Sequence, residues 1–144
     1  MKYSNRWVLV LLALAATLFL AACSRDADAG SAKIEPAKIE PTGDEGFNKV
    51  TLTEKAAQRL GIATETVGQM GQGTTVPYAA LVYGLNGETW VYVSPSPLTY
   101  VRQAVTVDHI EDGMVVLADG PAVGAEVVTV AVAELYGADT GVGK

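Results

Sequence analysis

The pattern of hydrophobic and polar positions changes near residue 47, where short alternating stretches begin. Residues 50–52 and 62–67 alternate and predict strands, and residues 53–60 between them carry the end signals of a short helix. Thr53 is a favourable N-cap, Glu54 suits the first turn, and Gly61 is a natural residue just beyond the last turn.

The rest of the chain alternates strand-like and turn-like segments. We predict strands over residues 76–83, 89–93, 100–110, 114–118 and 126–133. The pleat of the longest strand places five side chains on one face, namely Val101, Gln103, Val105, Val107 and His109. Asn86 and Gly87 favour a type I′ hairpin turn, and the Glu-Asp-Gly sequence at residues 111–113 predicts a second turn.

These elements predict a mainly β fold. We expect a small antiparallel β-barrel or sandwich with one short helix near residues 53–60, and a domain over residues 47–136. Residues 68–74 read as a flexible connection, and residues 137–144 as a disordered, glycine-rich tail. Because Cys23 is the single cysteine, an internal disulfide is impossible, and packing must supply the stability.

The first 22 residues have a basic start followed by an uncharged stretch. Lys2 and Arg6 precede residues 7–22, which end in Leu-Ala-Ala before Cys23. This order is typical of an export signal, and the LAAC ending resembles the lipobox of bacterial lipoproteins. The resemblance implies that residues 1–22 are a removed signal peptide and that the Cys23 thiol carries a covalent lipid. A plain signal peptide or an uncut anchor is the alternative.

This N-terminus implies a lipid-anchored, extracytoplasmic protein of the cell envelope. Ser24 favours the outer membrane if the cell is Gram-negative, by resemblance to sorted lipoproteins. Residues 23–46 read as a flexible tether that contains a tandem repeat, AKIEP at 32–36 and again at 37–41. The sequence leaves open whether this repeat is a functional spacer or a chance duplication.

Charge argues against nucleic acid as a partner. Without Lys2 and Arg6, 8 of the 10 basic residues remain against 16 acidic residues, a net charge of −8. Such a chain is repelled by phosphates and by anionic lipid headgroups, so the lipid on Cys23 must provide the membrane attachment.

The sequence offers no arrangement typical of an enzyme. His109 is the only histidine, and the serines of the predicted domain, Ser94 and Ser96, stand beside prolines in a turn. The acidic pair at residues 111–112 lies in a predicted turn, and no glycine-rich loop joins a strand to a helix. We therefore expect a non-enzymatic protein without a cofactor other than the covalent lipid.

A soft-metal site is a second possibility. His109 and Met114 flank the turn at residues 111–113, so their side chains can meet across a hairpin, with Met70 and Trp90 as further partners. Imidazole and thioether ligands suit Cu(I) or Ag(I). The competing interpretation is a methionine that fills a gap in the core and a histidine at a strand end.

Aromatic residues concentrate in the first predicted hairpin and the next strand. They are Tyr78, Tyr83, Trp90, Tyr92 and Tyr100, and Trp90 and Tyr92 share one face of their strand. They predict either core packing or an exposed patch for a protein partner. If a partner binds here, Tyr83, Trp90, Tyr92 and Tyr100 are the candidate contacts.

Five segments form a recognisable series in order along the chain: VTLTEKAAQRLGIATETV at 50–67, VPYAAL at 76–81, GETWVYV at 87–93, YVRQAVTV at 100–107 and GAEVV at 124–128. Together they resemble the periplasmic adaptor proteins, also called membrane fusion proteins, of heavy-metal and other RND-type efflux systems. The loop at 119–124 departs from the pattern of the family. The helical hairpin, lipoyl and barrel domains that adaptors carry between the first two segments are missing here.

The resemblance implies that the chain corresponds to the membrane-proximal domain of an adaptor. Its N-terminal strand and C-terminal region would then be closed by the glycine loop, with Val67 and Thr75 adjacent. The function it implies is a binding module that docks on a transporter or on a full-length adaptor. The alternatives are a small-ligand or Cu(I)/Ag(I)-binding lipoprotein and a degenerate remnant of an adaptor.

Overall fold

Two antiparallel sheets account for most of residues 35–43 and 46–141, which are the residues that the computed structural model describes. The strands are β1 (Ala37–Pro41), β2 (Asn48–Leu52), β3 (Ala63–Thr66), β4 (Gly68–Met70), β5 (Gly73–Pro77), β6 (Val82–Tyr83), β7 (Thr89–Ser96), β8 (Thr99–Ala104), β9 (Thr106–Glu111), β10 (Met114–Asp119) and β11 (Glu126–Val130). The helices are α1 (Glu54–Leu60) and α2 (Val132–Thr140), and a 3-10 turn spans Tyr78–Ala80.

The larger sheet has seven strands in the order β1-β2-β8-β7-β11-β3, with β6 paired to β7, and the smaller sheet has the order β4-β5-β10-β9. The predicted mainly β, antiparallel fold is confirmed. Of the two predicted architectures it is the sandwich, because the sheets do not close into a barrel. The predicted helix is present as α1, and α2 is a second helix that the sequence pattern did not predict.

The larger sheet is buried on both faces along its central strands. Val91 and Tyr92 are adjacent on β7 and both fully buried, as are Val127 and Val128 on β11. Because successive side chains point to opposite faces, each strand contributes to two cores. One core, the sheet–sheet core, contains Val67, Val76, Ala80, Val91, Val105, Val115, Leu117 and Val127. The other, the helix-side core, contains Val50, Leu52, Ala56, Tyr92, Tyr100, Val128 and Leu135.

Local chemistry accounts for helix α1. The Thr53 hydroxyl accepts a hydrogen bond from the Ala56 backbone N–H at 3.2 Å, which satisfies one of the free donors of the first turn. Gly61 takes the left-handed conformation, with φ of 63°, and its N–H caps the last turn. Ala56 lies in the helix-side core, so this short helix is fixed to the sheet.

The predicted long strand over residues 100–110 is wrong as one element. It is two strands in different sheets, β8 and β9, which meet at the buried residue Val105. Thr89 fixes this corner, since its carbonyl accepts from the Val105 N–H and its hydroxyl donates to the Val105 carbonyl. The chain thus passes from the larger to the smaller sheet at one residue.

Two other predicted strand boundaries differ. Residues 76–83 are not one strand, because β5 ends at Pro77 and the 3-10 turn follows before β6. Residues 68–74 are not a flexible connection, since β4 and β5 form a hairpin there, with Gly68 paired to Thr75 and Met70 to Gly73.

The type I′ turn expected at Asn86 and Gly87 is wrong, and this geometry occurs instead at the second predicted turn. In the 84–88 turn only Gly87 has positive φ, 89°, and its N–H bonds to the Gly84 carbonyl, so this is a three-residue loop with a bulge. Asp112 and Gly113 both have positive φ, 49° and 78°, as a type I′ turn requires.

Both ends of the predicted domain are extended by ordered elements. Residues 37–41 belong to β1 and not to a flexible tether, because they pair with β2 and bury part of Ala37 and Ile39 against the helix-side core. Residues 137–140 belong to α2 and not to a disordered tail, because Leu135 and Asp139 are buried. In the described part of the chain, neither helix has the length and apolar character that crossing a bilayer requires.

Candidate functional site

An open groove with a volume of about 500 Å³ lies between the β6 hairpin and the start of α2. We call it the tyrosine groove. It is lined on one side by Ala79, Leu81, Val82 and Tyr83, and on the other by Thr129, Ala131, Val132, Ala133, Glu134 and Tyr136. Most of these side chains are apolar, which is typical of a binding groove for apolar groups.

The hairpin wall follows from the sequence around Pro77. Proline fixes its own φ and donates no hydrogen bond, so β5 ends there and the 3-10 turn begins. The turn closes with a hydrogen bond from the Leu81 N–H to the Tyr78 carbonyl, and β6 then pairs Val82 with Trp90. Glycine at residue 84 allows the hairpin to pack closely against Trp90, because a Cβ at this position would lie 2.4 Å from the indole ring.

The opposite wall forms where β11 turns into α2. Ala131 has a left-handed backbone, with φ of 66° and ψ of 28°, which reverses the chain direction at this point. Its carbonyl accepts from the Leu135 N–H and so starts the helix. The reversal places Val132 and Tyr136 in the groove while Leu135 enters the helix-side core.

Three exposed apolar side chains belong to the chain segment that forms the hairpin wall of the groove. Tyr83 is 54% exposed, Tyr78 is 48% exposed, and Leu85 at the hairpin tip is fully exposed. Partial desolvation, and then the neighbouring Tyr78 hydroxyl, raise the pKa of the Tyr83 phenol above its usual value. The Tyr83 phenol therefore stays a neutral hydrogen-bonding group at physiological pH.

Glu134 is the single carboxylate among the lining residues that the structure describes. Thr129, Tyr83 and Tyr136 supply hydroxyl groups. This set combines apolar surface with hydrogen-bond acceptors and one negative charge. It suits an apolar ligand or peptide that carries a positive charge.

A buried polar network stands behind the α2 wall. The Asp139 carboxylate accepts from the Tyr92 hydroxyl at 2.8 Å and from the Asn48 amide at 2.9 Å. Arg102 forms an ion pair with it, Nε to Oδ2 at 3.1 Å, and donates from its guanidinium to the Gly46 carbonyl at 2.7 Å. The geometry at Arg102 Nε gives charge attraction without a hydrogen bond, which leaves this buried N–H unsatisfied.

Three aromatic rings surround the Arg102 guanidinium. Its central carbon lies 4.8 Å from the Trp90 ring centre, 5.3 Å from that of Phe47 and 5.7 Å from that of Tyr136. Trp90 and Tyr136 stack with ring centres 6.3 Å apart. Because Tyr136 also lines the tyrosine groove, this cluster sets the position of the groove wall.

The four predicted partner contacts separate into two classes. Tyr83 lies on the tyrosine groove and is exposed, and Trp90 is half-buried beneath the hairpin. The prediction is wrong for Tyr92 and Tyr100, which are 0% and 4% exposed in the helix-side core. Trp90 and Tyr92 do share a face, as predicted, but α2 covers part of that face.

The predicted metal pair is not directly opposed. The register of the β9–β10 hairpin pairs His109 with Val116 and Met114 with Glu111, so the two side chains are diagonal neighbours. The His109 ring faces carboxylates instead, with Nδ1 2.9 Å from Asp108 and Nε2 3.8 Å from Glu111. Over residues 35–43 and 46–141 there is no group of three or more His, Cys, Asp or Glu side chains arranged to hold a metal.

His109 does line a second groove, of about 540 Å³, together with Met70. We call this the histidine groove; Asp108 and Gly73 also contribute to it. The lipidation site, Cys23, lies outside the described residues.

Sequence reasoning missed Leu85, Val132 and Tyr136 as parts of the exposed surface and the tyrosine groove. A leucine in a turn flanked by glycines was a usable signal, because such a position has little chance of burial. Val132 and Tyr136 carried no signal, since their place depends on the unpredicted helix α2.

No protein-family model matches the chain, and comparisons with curated proteins and with solved structures also find no match. Val67 and Thr75 are close in the fold, as expected, because the next residue, Gly68, pairs with Thr75. A short β-hairpin produces this proximity in any fold, so the resemblance to adaptor proteins stays a prediction.

Proposed function

We propose that this chain is a lipid-tethered, extracytoplasmic binding module that docks on a membrane transporter or on a full-length adaptor protein. The lipid on Cys23 confines the domain to the membrane surface, and the tyrosine groove binds the partner. No chemical step is assigned to the chain.

The observation that supports this proposal is the exposed apolar surface around the tyrosine groove. Tyr78, Tyr83 and Leu85 are all at least 48% exposed and follow one another within eight residues of chain. Exposed apolar groups that are grouped in this way are typical of protein interaction sites, whereas single ones are common on any surface. Tyrosine in particular is enriched in such sites, because it combines a large apolar ring with a hydroxyl.

Charge narrows the chemistry of the partner segment. Glu134 lies in the groove, and the whole chain carries 16 acidic against 10 basic residues. A segment with an apolar anchor and at least one Lys or Arg complements both features. The face of the transporter or adaptor that docks here is therefore expected to be basic.

The test is co-purification of the full lipidated chain from the envelope of its own cell after mild crosslinking, followed by identification of the bound proteins. We expect an efflux permease or a full-length adaptor. The double variant Tyr83→Ala with Leu85→Ser should reduce the recovered partner at least about 10-fold, because central aromatic and apolar contacts carry most of the binding energy.

A matched control uses equally exposed apolar residues elsewhere. Ile110→Ala and Val123→Ala remove side chains that are 48% and 54% exposed and are not part of the tyrosine groove. These variants should retain the partner. Equal loss in all variants, or recovery of proteins unrelated to transport, would contradict the proposal.

A second candidate function, soft-metal binding, is favoured by one observation, the presence of Met70 and His109 in the same groove. Imidazole and thioether are suitable ligands for Cu(I) or Ag(I). Titration of the chain with Ag(I) should then show one site that both His109→Ala and Met70→Leu abolish. Met114→Leu is the control, since Met114 does not line this groove. Binding that survives both groove variants would exclude this site.

A further inference from the structure

Strand β1 is the edge strand of the larger sheet and consists of the second copy of the AKIEP repeat. It pairs with β2 along its whole length, from Ala37 opposite Leu52 to Pro41 opposite Asn48. Ala37 and Ile39 pack against the helix-side core, and Glu40 forms ion pairs with Lys38 at 2.8 Å and Lys49 at 3.1 Å. Proline is tolerated at the end of such a strand because its missing N–H is not needed there.

The five residues before β1 have the same sequence in the same order, AKIEP at residues 32–36. A slip of five residues in an ordinary strand would turn every side chain to the opposite face. Here the slip replaces each residue by an identical one. Ile34 takes the position of Ile39, and Glu35 takes the place of Glu40 beside Lys49.

From this identity we infer that the edge of β2 that β1 occupies is an acceptor site for an extended AKIEP segment, and that the two copies in the chain compete for it. In the structure the second copy is bound. In the alternative register the first copy binds, and residues 37–47 form the loop that leads into β2.

The two registers differ mainly in loop length. The loop between the strands grows from six residues, 42–47, to eleven, 37–47. Closing the longer loop disfavours the alternative register by only about 2.5-fold, given the weak dependence of closure entropy on length. The alternative also loses the two hydrogen bonds from Thr42 to the Phe47 carbonyl. These are at the surface, and together they favour the observed register by up to about another 30-fold.

The exchange changes the reach of the domain from its anchor. In the observed register, residues 24–36 separate Cys23 from β1, and in the alternative only residues 24–31 do. Five residues of extended chain span up to about 17 Å. The repeat therefore gives a tether with two lengths, in which a pull on the N-terminus favours the longer one.

The test compares aspartate substitutions at the equivalent isoleucines, measured as the thermal midpoint of the full chain. Ile34→Asp alone should leave the midpoint unchanged within about 1 °C, since residues 37–41 occupy the edge of β2 in the observed register. Ile39→Asp alone should lower it by no more than the cost of changing the register, about 10 °C, because the intact first copy replaces the damaged second one. The double variant leaves no good strand and should lose at least about 5 °C more than Ile39→Asp alone.

Deletion of residues 32–36 supplies the matched control. In this shortened chain one copy remains, so the equivalent of Ile39→Asp should cause the full loss seen in the double variant. If Ile39→Asp already causes the full loss in the complete chain, and Ile34→Asp adds nothing to it, the inference is overturned.

Disulfide trapping tests the register directly and does not depend on stability. Lys38 is paired with Thr51 in the observed register, and Lys33 would be paired with it in the alternative. In the triple variant Lys33→Cys, Lys38→Cys, Thr51→Cys, equilibrated in a glutathione buffer, mass spectrometry should find both disulfides, with the 33–51 bond in at least about 1% of the chains. Exclusive formation of the 38–51 bond would overturn the inference.

Discussion

The two cores on either side of the larger sheet are built from different chemistry. The sheet–sheet core is entirely aliphatic, made of Val, Leu and Ala side chains. The helix-side core includes Tyr92 and Tyr100 and borders the buried ion pair of Arg102 with Asp139. The Arg102 side chain is 10% exposed and that of Asp139 is 0% exposed, so both charges are largely removed from water.

This difference in chemistry gives the two cores different roles: one holds the sheets together, and the other orients a helix. Aliphatic packing is non-directional, and it tolerates substitutions that conserve volume. Hydrogen bonds and ion pairs fix orientation, and they become costly when a partner is lost. The sheet–sheet core therefore joins the two sheets, whereas the helix-side core determines where α2 lies, and with it one wall of the tyrosine groove.

The largest expected effect comes from removing the carboxylate at the centre of the polar network. Asp139→Ala leaves the Arg102 guanidinium buried without its counter-charge and the Tyr92 hydroxyl without its acceptor, and should lower the free energy of unfolding by about 4 kcal/mol. Urea unfolding measures this. The double variant Arg102→Met with Asp139→Ala should recover a large part of the loss. A cost below about 1 kcal/mol would show that the network does not hold the helix.

Leu117→Ala tests the aliphatic core in the same way. Leu117 is 1% exposed between the sheets, and its truncation leaves a cavity that should cost about 3 kcal/mol. The volume-conserving variant Leu117→Met should retain most of the stability that Leu117→Ala loses, because aliphatic packing does not depend on one specific partner. If Leu117→Met lowered the free energy of unfolding as much as Leu117→Ala, packing in the sheet–sheet core would be as specific as the polar contacts of the helix-side core.

Tyr92→Phe isolates one hydrogen bond of the helix-side core, since the ring and its packing are kept. The change removes the donor to Asp139 and should cost about 1.5 kcal/mol. The matched control is Tyr100→Phe, because the Tyr100 side chain is buried without a hydrogen bond to a described residue, and it should be close to neutral. Urea unfolding of both variants at pH 7 makes the comparison.

Alkaline pH should destabilise the helix-side core selectively. Burial, and then the hydrogen bond to Asp139, raise the pKa of Tyr92 well above its usual value near 10, and burial also raises the pKa of Tyr100. Above about pH 10 the unfolded chain releases these protons while the folded chain retains them, so the free energy of unfolding falls with rising pH. Below that pH both states are protonated, and the contribution is fully present.

The expected slope is at most about 1.4 kcal/mol per pH unit for each tyrosine. Unfolding measured between pH 9 and pH 11 should show a smaller fall in the double variant Tyr92→Phe with Tyr100→Phe than in the natural chain. Equal slopes would mean that the alkaline loss arises elsewhere, for example at the exposed Tyr83.

The smallest effect is expected at the junction between β11 and α2. Ala131 has positive φ, which is unfavourable for a residue with a Cβ, so Ala131→Gly should raise the free energy of unfolding by about 0.5 kcal/mol. Ala133→Gly, two residues further on and inside α2, is the control and should lower the free energy of unfolding by up to about 1 kcal/mol. A loss at both positions would contradict the strain at Ala131.

The sequence predicted the elements that depend on local chemistry. Helix α1 is correct with both of its caps, because Thr53 and Gly61 act within one turn of the helix. The turn at Asp112 and Gly113 was also located, although the I′ geometry was expected at Asn86. The loop around Gly87 holds one more residue than a two-residue turn, and strand pairing over β6 and β7 decided that length.

Elements that depend on distant partners were not predictable. The sequence from Gly137 to Gly141 reads as a polar, glycine-rich tail until Asp139 is paired with Arg102, 37 residues earlier in the chain. Likewise β1 reads as a charged, proline-rich tether until β2 pairs with it.

The candidate site was predictable only in part, for the same reason. Tyr83 was identified as an exposed contact, but the assignment of Tyr92 and Tyr100 to that surface was wrong. The alternation of side chains correctly placed Tyr92 beside Trp90. The alternation pattern does not reveal whether that face of the strand is exposed to solvent or covered by a helix.

The position of Asp139 in the chain also orders the steps of folding during synthesis. A polypeptide emerges N-terminus first, and the sheet–sheet core is complete once Val127 is available. Arg102 and Tyr92 must then wait for Asp139 before the helix-side core can close. A chain that stops between Val127 and Asp139 would present joined sheets with an uncovered tyrosine face, a form that chaperones and proteases can recognise.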